Sequence, residues 1–210
     1  MKEHELHNYK LVLQYEGIRY NGWQKQKNQE NTIQEVVENA VFDGTGERVE
    51  VIGSGRTDAG THAMGQVANV KLGQDLEPER LMDNINKHLP SDIKILECEK
   101  VDNRFHARLN AKAKTYMYTL CVGKKPDVFN RRTVLHYCAD LDVNAMKKAA
   151  EYLKGEHDFM SFCSNKRTKK STVRKIYDIE IIKDGDEISF IFKGNGFLYN
   201  MVRILTGTLV

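Results

Sequence analysis

A chain of 210 residues, 40% hydrophobic and 29% charged, suffices for one large domain or two small ones and has the composition of a globular protein, not a disordered one. No apolar run reaches the roughly 18 residues that a membrane span needs, and the polar start, residues 1–10, is not a secretory signal. The net charge of +3 is unevenly spread: residues 103–175 hold 17 Lys and Arg against 6 Asp and Glu, a local +11 that leaves −8 elsewhere.

The first half is clearly punctuated. Tyr9–Tyr15 alternates as a strand, with Leu11, Leu13 and Tyr15 on one face. Thr32-Ile-Gln-Glu35 has the pattern of a capping box, and a helix follows with Ile33, Val36, Val37, Ala40 and Val41 along one stripe. Gly44 and Gly46 end it. Glu50–Ser54 and Gln66–Leu72 read as strands around a glycine-rich loop, Pro78–His88 as a helix, and Ile93–Val101 as a closing strand. The order β-α-β-β-α-β is the ferredoxin-like one.

The second half begins in the same way. Lys114–Val122 reads as a strand, and Asp142–Leu153 as an amphipathic helix stopped by Gly155. Arg174–Ile182 and Glu187–Lys193 flank the turn Lys183-Asp-Gly-Asp186, and an apolar helix runs from Phe197 to about Thr208. By the pattern of the first half a last strand is missing. The expectation is an α+β fold of two ferredoxin-like halves, 1–104 and 105–210, sharing one antiparallel sheet, the second half incomplete at the C-terminus.

Two stretches, 103–126 and 164–175, contain no acid. Clustered cations suit a polyphosphate partner, because each neutralised phosphate releases counterions; a merely solvated basic face is the other reading. Cys98, Cys121, Cys138 and Cys163 stand far apart with no Cys-x-x-Cys pair. That fits reduced, mostly buried thiols in a cytoplasmic protein and provides no zinc framework.

The strongest local signal is Gly53-Ser-Gly-Arg-Thr-Asp-Ala-Gly-Thr-His-Ala63. Its glycines permit positive φ and close approach, and its small side chains present Arg56, Thr57 and Asp58 outward. It lacks the spacing of a P-loop. On residues alone, a tight turn with Asp58 capping its own backbone remains open beside a functional carboxylate.

Gly55-Arg-Thr-Asp-Ala-Gly60 with His62-Ala63 resembles the signature of the TruA family of tRNA pseudouridine synthases. Tyr20-Asn-Gly-Trp-Gln24, Thr32–Glu35, Phe105-His-Ala-Arg108, Lys114-Thr-Tyr-Met-Tyr118 and Gly196-Phe-Leu-Tyr-Asn-Met-Val-Arg203 resemble further family blocks, in order along the chain. The resemblance implies conversion of uridine to pseudouridine in the anticodon arm of tRNA, at positions 38 to 40, by a homodimer using neither cofactor nor metal. Asp58 corresponds to the catalytic aspartate, acting at C1′, at C6 or as a base at C2′. Arg203 corresponds to its partner cation, which favours the ionised carboxylate. Tyr116 corresponds to the tyrosine stacked on the target base and near its C5 proton, and Arg56 to the residue filling the place of the flipped nucleotide. Tyr118 is left structural, on the other strand face, and Trp23 and Gln24 brace the loop. Arg108, Lys166, Arg167, Lys169 and Lys170 are the expected tRNA-binding cations. The rival expectation is an RNA-binding or RNA-folding module without turnover.

Overall fold

The computed structural model describes residues 6–27, 30–123, 128–165 and 170–210. It is an α+β protein of two compact units, Met1–Ala111 and Lys112–Val210. The first contains β1 (His7–Tyr15), α1 (Ile33–Thr45), β2 (Ile52–Gly53), β3 (Ala63–Leu72), α2 (Pro78–His88) and β4 (Ile93–Val101). Its strands lie in the order β2-β3-β1-β4, every pair antiparallel. Alternation along β1 sends Tyr9, Leu11, Leu13 and Tyr15 into a core shared with Ile33, Val37 and Val41 of α1 and Leu81 and Ile85 of α2.

The helix signals act as the sequence predicts. Thr32 caps α1 through its side-chain oxygen, which accepts from Glu35 N–H, and Gly46 ends it in the left-handed region at φ 79°. Gly44, expected as a stop, lies inside the last turn instead. A Cβ there would stand 3.1 Å from the backbone of Asn84, so glycine lets α1 and α2 approach closely. The expected strand at Glu50–Ser54 shrinks to Ile52–Gly53, because only these residues pair with β3.

The second unit contains β5 (Lys114–Val122), β6 (Leu135–Tyr137), α3 (Val143–Glu151), β7 (Gly155–Asp158), β8 (Val173–Asp184), β9 (Glu187–Gly194) and α4 (Met201–Leu209). The sheet order is β6-β5-β9-β8-β7, antiparallel except for β5–β6. Phe190 and Phe192 of β9, Ile179 and Ile181 of β8, and Met201 and Leu205 of α4 form its core. Asp142 caps α3 by accepting from Asn144 and Ala145 N–H.

Three expectations change here. The strands form two sheets rather than one shared sheet, because β5 takes β9 on one side and β6 on the other. The helix expected from Phe197 starts at Met201, since Asn200 is left-handed at φ 59° and breaks the helical run. Gly155 does not merely stop a helix; it opens β7 at φ 99°. Among the cysteines, Cys121 and Cys163 are buried, Cys98 is half-buried and Cys138 is exposed. No described helix is long and apolar enough to cross a membrane.

Candidate active site

One stretch distant in sequence, residues 17–23, clamps the loop around Asp58 at two places. On one side, Trp23 N–H donates to Thr57 C=O at 3.0 Å. Gly22, at φ 79°, comes so close that a Cβ would stand 2.5 Å from the same oxygen. The Gly22 and Trp23 carbonyls in turn accept from Ile33 and Gln34 N–H, both at 3.0 Å. These would otherwise be orphan donors of the first turn of α1, so one helix start and one loop are satisfied by the same strap.

On the other side, a Cβ on Gly17 would overlap the Thr61 carbonyl at 1.9 Å, and Gly17 N–H donates to His62 Nδ1 at 3.3 Å. Gly60 N–H reaches the Tyr20 carbonyl at 3.3 Å. Thr61 N–H closes a turn onto the Asp58 carbonyl at 3.1 Å. Gly60 holds the third position of that turn at φ 77°, the left-handed value a type II turn requires.

Side chains complete the clamp. The Tyr15 and Thr57 hydroxyls lie 2.9 Å apart. Gln66 Nε2 donates to Gly55 C=O at 2.7 Å. The buried Trp23 indole lies against Gly53, where a Cβ would stand 2.5 Å from the ring. Arg56 Nε donates to Gln24 Oε1 at 3.0 Å. Trp23 and Gln24 thus brace the loop as expected, and Arg56 and Asp58 stand exposed on it.

Tyr116, Arg203 and Lys170 belong to the second unit. Tyr116 is half-buried on β5, opposite Phe192 of β9. The Phe197 ring meets it edge to face, with centroids 5.2 Å apart and planes at 79°. Gly194 makes room for this, because a Cβ there would lie 3.3 Å from Phe197 Cζ. The blocks around Tyr116 and Phe197 are therefore joined through their rings. Tyr118 lies opposite Phe190 and packs against the same core, so it shares the face of Tyr116. The expected opposite face fails, because residues two apart in a strand point the same way. Arg203 is exposed on α4, whose other side buries Met201, Leu205 and Leu209.

Arg108 is exposed in the first unit, on a segment fixed from below. Asn8 and Asn69, each 1% exposed, form a buried amide pair with Asn69 Nδ2 donating to Asn8 Oδ1 at 3.0 Å. Asn8 Nδ2 donates to the Asp102 and Phe105 carbonyls, and Asn69 Oδ1 accepts from Ala107 N–H at 2.9 Å. Nothing in the strand alternation marks these asparagines as internal. Lys170 is exposed, whereas Lys166, Arg167 and Lys169 lie outside the described residues, as do Lys124 and Lys125. Among the described residues no group of three or more His, Cys, Asp and Glu is placed to hold a metal ion.

An exposed carboxylate stands on a tightly strapped glycine loop, in a chain with two acid-free cationic stretches. A model of the tRNA pseudouridine synthase family matches residues 11–110 and 149–210. The chain is 43% identical over 205 residues to tRNA pseudouridine synthase A 2 of Bacillus cereus, covering 98% of this chain and 84% of that protein. It is 45% identical to tRNA pseudouridine synthase A of a Bacillus species, with the same coverage. It is 44% identical over 208 residues to tRNA pseudouridine synthase A of a Thermoanaerobacter species, covering 97% of this chain and 83% of that one. The chain belongs to the tRNA pseudouridine synthase family, in its TruA branch.

Proposed function

We propose that this protein isomerises uridine to pseudouridine in the anticodon arm of tRNA, at positions 38 to 40, with Asp58 as the essential carboxylate. The observation that carries this is the strapped loop: Gly22, Trp23, Gly17 and Tyr20 fix the backbone from Thr57 to His62 while Asp58 stays exposed. A carboxylate held on a rigid backbone and open to solvent can meet a nucleotide without reorganisation. In the reaction the N1–C1′ bond breaks, the uracil turns, C5 bonds to C1′, the C5 proton leaves and N1 takes up a proton; no atom is gained or lost overall.

Tyr116 keeps the stacking role that the resemblance gives it, and its edge contact with Phe197 fits a ring that must hold its plane. Arg203 keeps the counter-charge role and Arg56 that of filling the gap left by a flipped nucleotide. Arg108, Lys166, Arg167, Lys169 and Lys170 are assigned to the tRNA backbone. On that assignment tRNA affinity falls roughly 100-fold or more between about 50 and 200 mM salt. The order of elements and the sheet order β2-β3-β1-β4 favour a ferredoxin-like reading of the first unit. A cytoplasmic homodimer is part of the same reading.

Release of tritium from tRNA labelled at C5 of uridine tests the proposal, since only substitution at C5 liberates that hydrogen. Turnover by the wild-type chain is expected. Tight tRNA binding with no release would favour the RNA-folding module instead.

A further inference from the structure

Arg56 stands at the end of a line of hydrogen bonds whose polarity is fixed at every link. The line starts in the core. Gln34, in the first turn of α1 and 4% exposed, donates through Nε2 to the Glu38 carboxylate at 2.9 Å and to the Val51 carbonyl at 3.2 Å. Its Oε1 accepts from Lys25 backbone N–H at 2.9 Å and from Gln24 Nε2 at 2.7 Å. A carbonyl and a carboxylate only accept, and a backbone N–H only donates. The Gln34 amide therefore has one permitted orientation.

That orientation dictates the next one. Gln24 gives its NH₂ group to Gln34, so its Oε1 must turn outward, where it receives Arg56 Nε–H at 3.0 Å. A guanidinium stays charged and has no acceptor, so a reversed Gln24 would oppose donor to donor. Among the described residues, the two terminal nitrogens of Arg56 have no hydrogen-bond partner. The anchor thus consumes Nε and leaves the terminal fork presented to solvent.

We infer that Gln34 and Gln24 are positioning residues that hold the Arg56 fork ready for the substrate RNA. The inference rests on the functional reading above, in which Arg56 meets the RNA. Without the relay, Arg56 would have to be ordered when RNA binds, and a flexible side chain loses rotamer freedom at that step. Sequence alone gives no sign of it, since Gln34 reads as an intervening residue between Thr32 and Glu35 of the capping box.

A double-mutant cycle on single-turnover pseudouridine formation tests the relay, using Gln24→Met, Arg56→Met and the pair. Gln24 is half-buried and its replacement by methionine preserves the apolar stem. Gln24→Met should slow the reaction roughly 10-fold, and should slow the Arg56→Met enzyme no further. A second readout needs no turnover: the Arg56 Nε–H proton signal should exchange slowly in the wild-type protein and quickly in Gln24→Met and Gln34→Met. Additive losses in the cycle, or an Arg56 Nε–H that exchanges as fast in the wild type as in Gln24→Met, would overturn the inference. A wild-type chain that forms no pseudouridine would overturn the functional reading; the exchange measurement then still decides whether the anchor exists.

Discussion

Gly22 and Thr57 are in direct backbone contact: a Cβ on residue 22 would stand 2.5 Å from the Thr57 carbonyl oxygen, while Trp23 N–H donates to that oxygen at 3.0 Å. The position of Asp58 therefore depends on a residue 36 places earlier having no side chain. Gly60 supplies an internal comparison: its φ of 77° is left-handed like the 79° of Gly22, but a Cβ there would meet nothing within 4 Å.

Gly60→Ala should cost only its backbone strain, about 1–2 kcal/mol. Gly22→Ala adds the overlap with Thr57 and should cost more, roughly 3 kcal/mol or above. Thermal melts of the two variants measure the difference. Turnover should follow the same order, because Gly22→Ala displaces the backbone that carries Asp58. Equal losses in both variants would show that the strap does not set the loop.

The Asn8–Asn69 pair makes a second prediction. Asn69→Ala leaves Ala107 N–H, on a residue 2% exposed, without the acceptor it has in the wild type. An orphaned buried donor costs about 1–3 kcal/mol. The loss should be local, so hydrogen exchange at Ala107 should accelerate more than exchange in α2. Unchanged protection at Ala107 would mean that the segment bearing Arg108 is held by something else.

The third prediction concerns pH. Asp92 is 10% exposed and accepts from Tyr20 Oη at 2.7 Å and from Arg19 Nη2 at 2.6 Å. Burial pushes its carboxyl upward, but the bonds from Tyr20 and Arg19 outweigh burial and leave it below the usual carboxylate range. Burial, then the bond to Asp92, pushes the Tyr20 hydroxyl up to about 12. A depressed Asp92 stabilises the fold above its unfolded pKa, about 3.9, and that contribution is lost as pH falls through the lower folded value. A raised Tyr20 stabilises below its unfolded value near 10 and loses that contribution as pH rises through about 12. Chemical denaturation of wild type and Asp92→Asn should show a stability gap across the neutral range that closes towards acid. A constant gap down to pH of about 2 would contradict the coupling.

Much of this architecture is readable from the chain. Pro78–His88, Ile93–Val101 and Lys114–Val122 match their expected bounds, because a proline start or clean alternation marks them. β6 and β7 escape the reading. They have three and four residues, are largely polar, and exist because β5 and β8 offer edges to pair with. Phe197 reads as helix because it is apolar, yet its ring is used against Tyr116, outside α4. Within the site, the glycine loop and its tryptophan brace stand out in sequence. Gln34, Asn8 and Asn69 do not, since a polar residue on a strand or a first helical turn reads as solvated until its buried partners are known.

In the function proposed above, the Asp58 carboxylate carries the chemistry. Asp58→Asn retains the size of the side chain and removes its charge, and the Thr61 N–H bond to residue 58 uses the backbone carbonyl, so the loop should keep its shape. The decisive measurement is tritium release from C5-labelled uridine in tRNA by this variant, alongside its tRNA affinity. Affinity within a few fold of wild type and no release above background are expected. Release at a substantial fraction of the wild-type rate would contradict it.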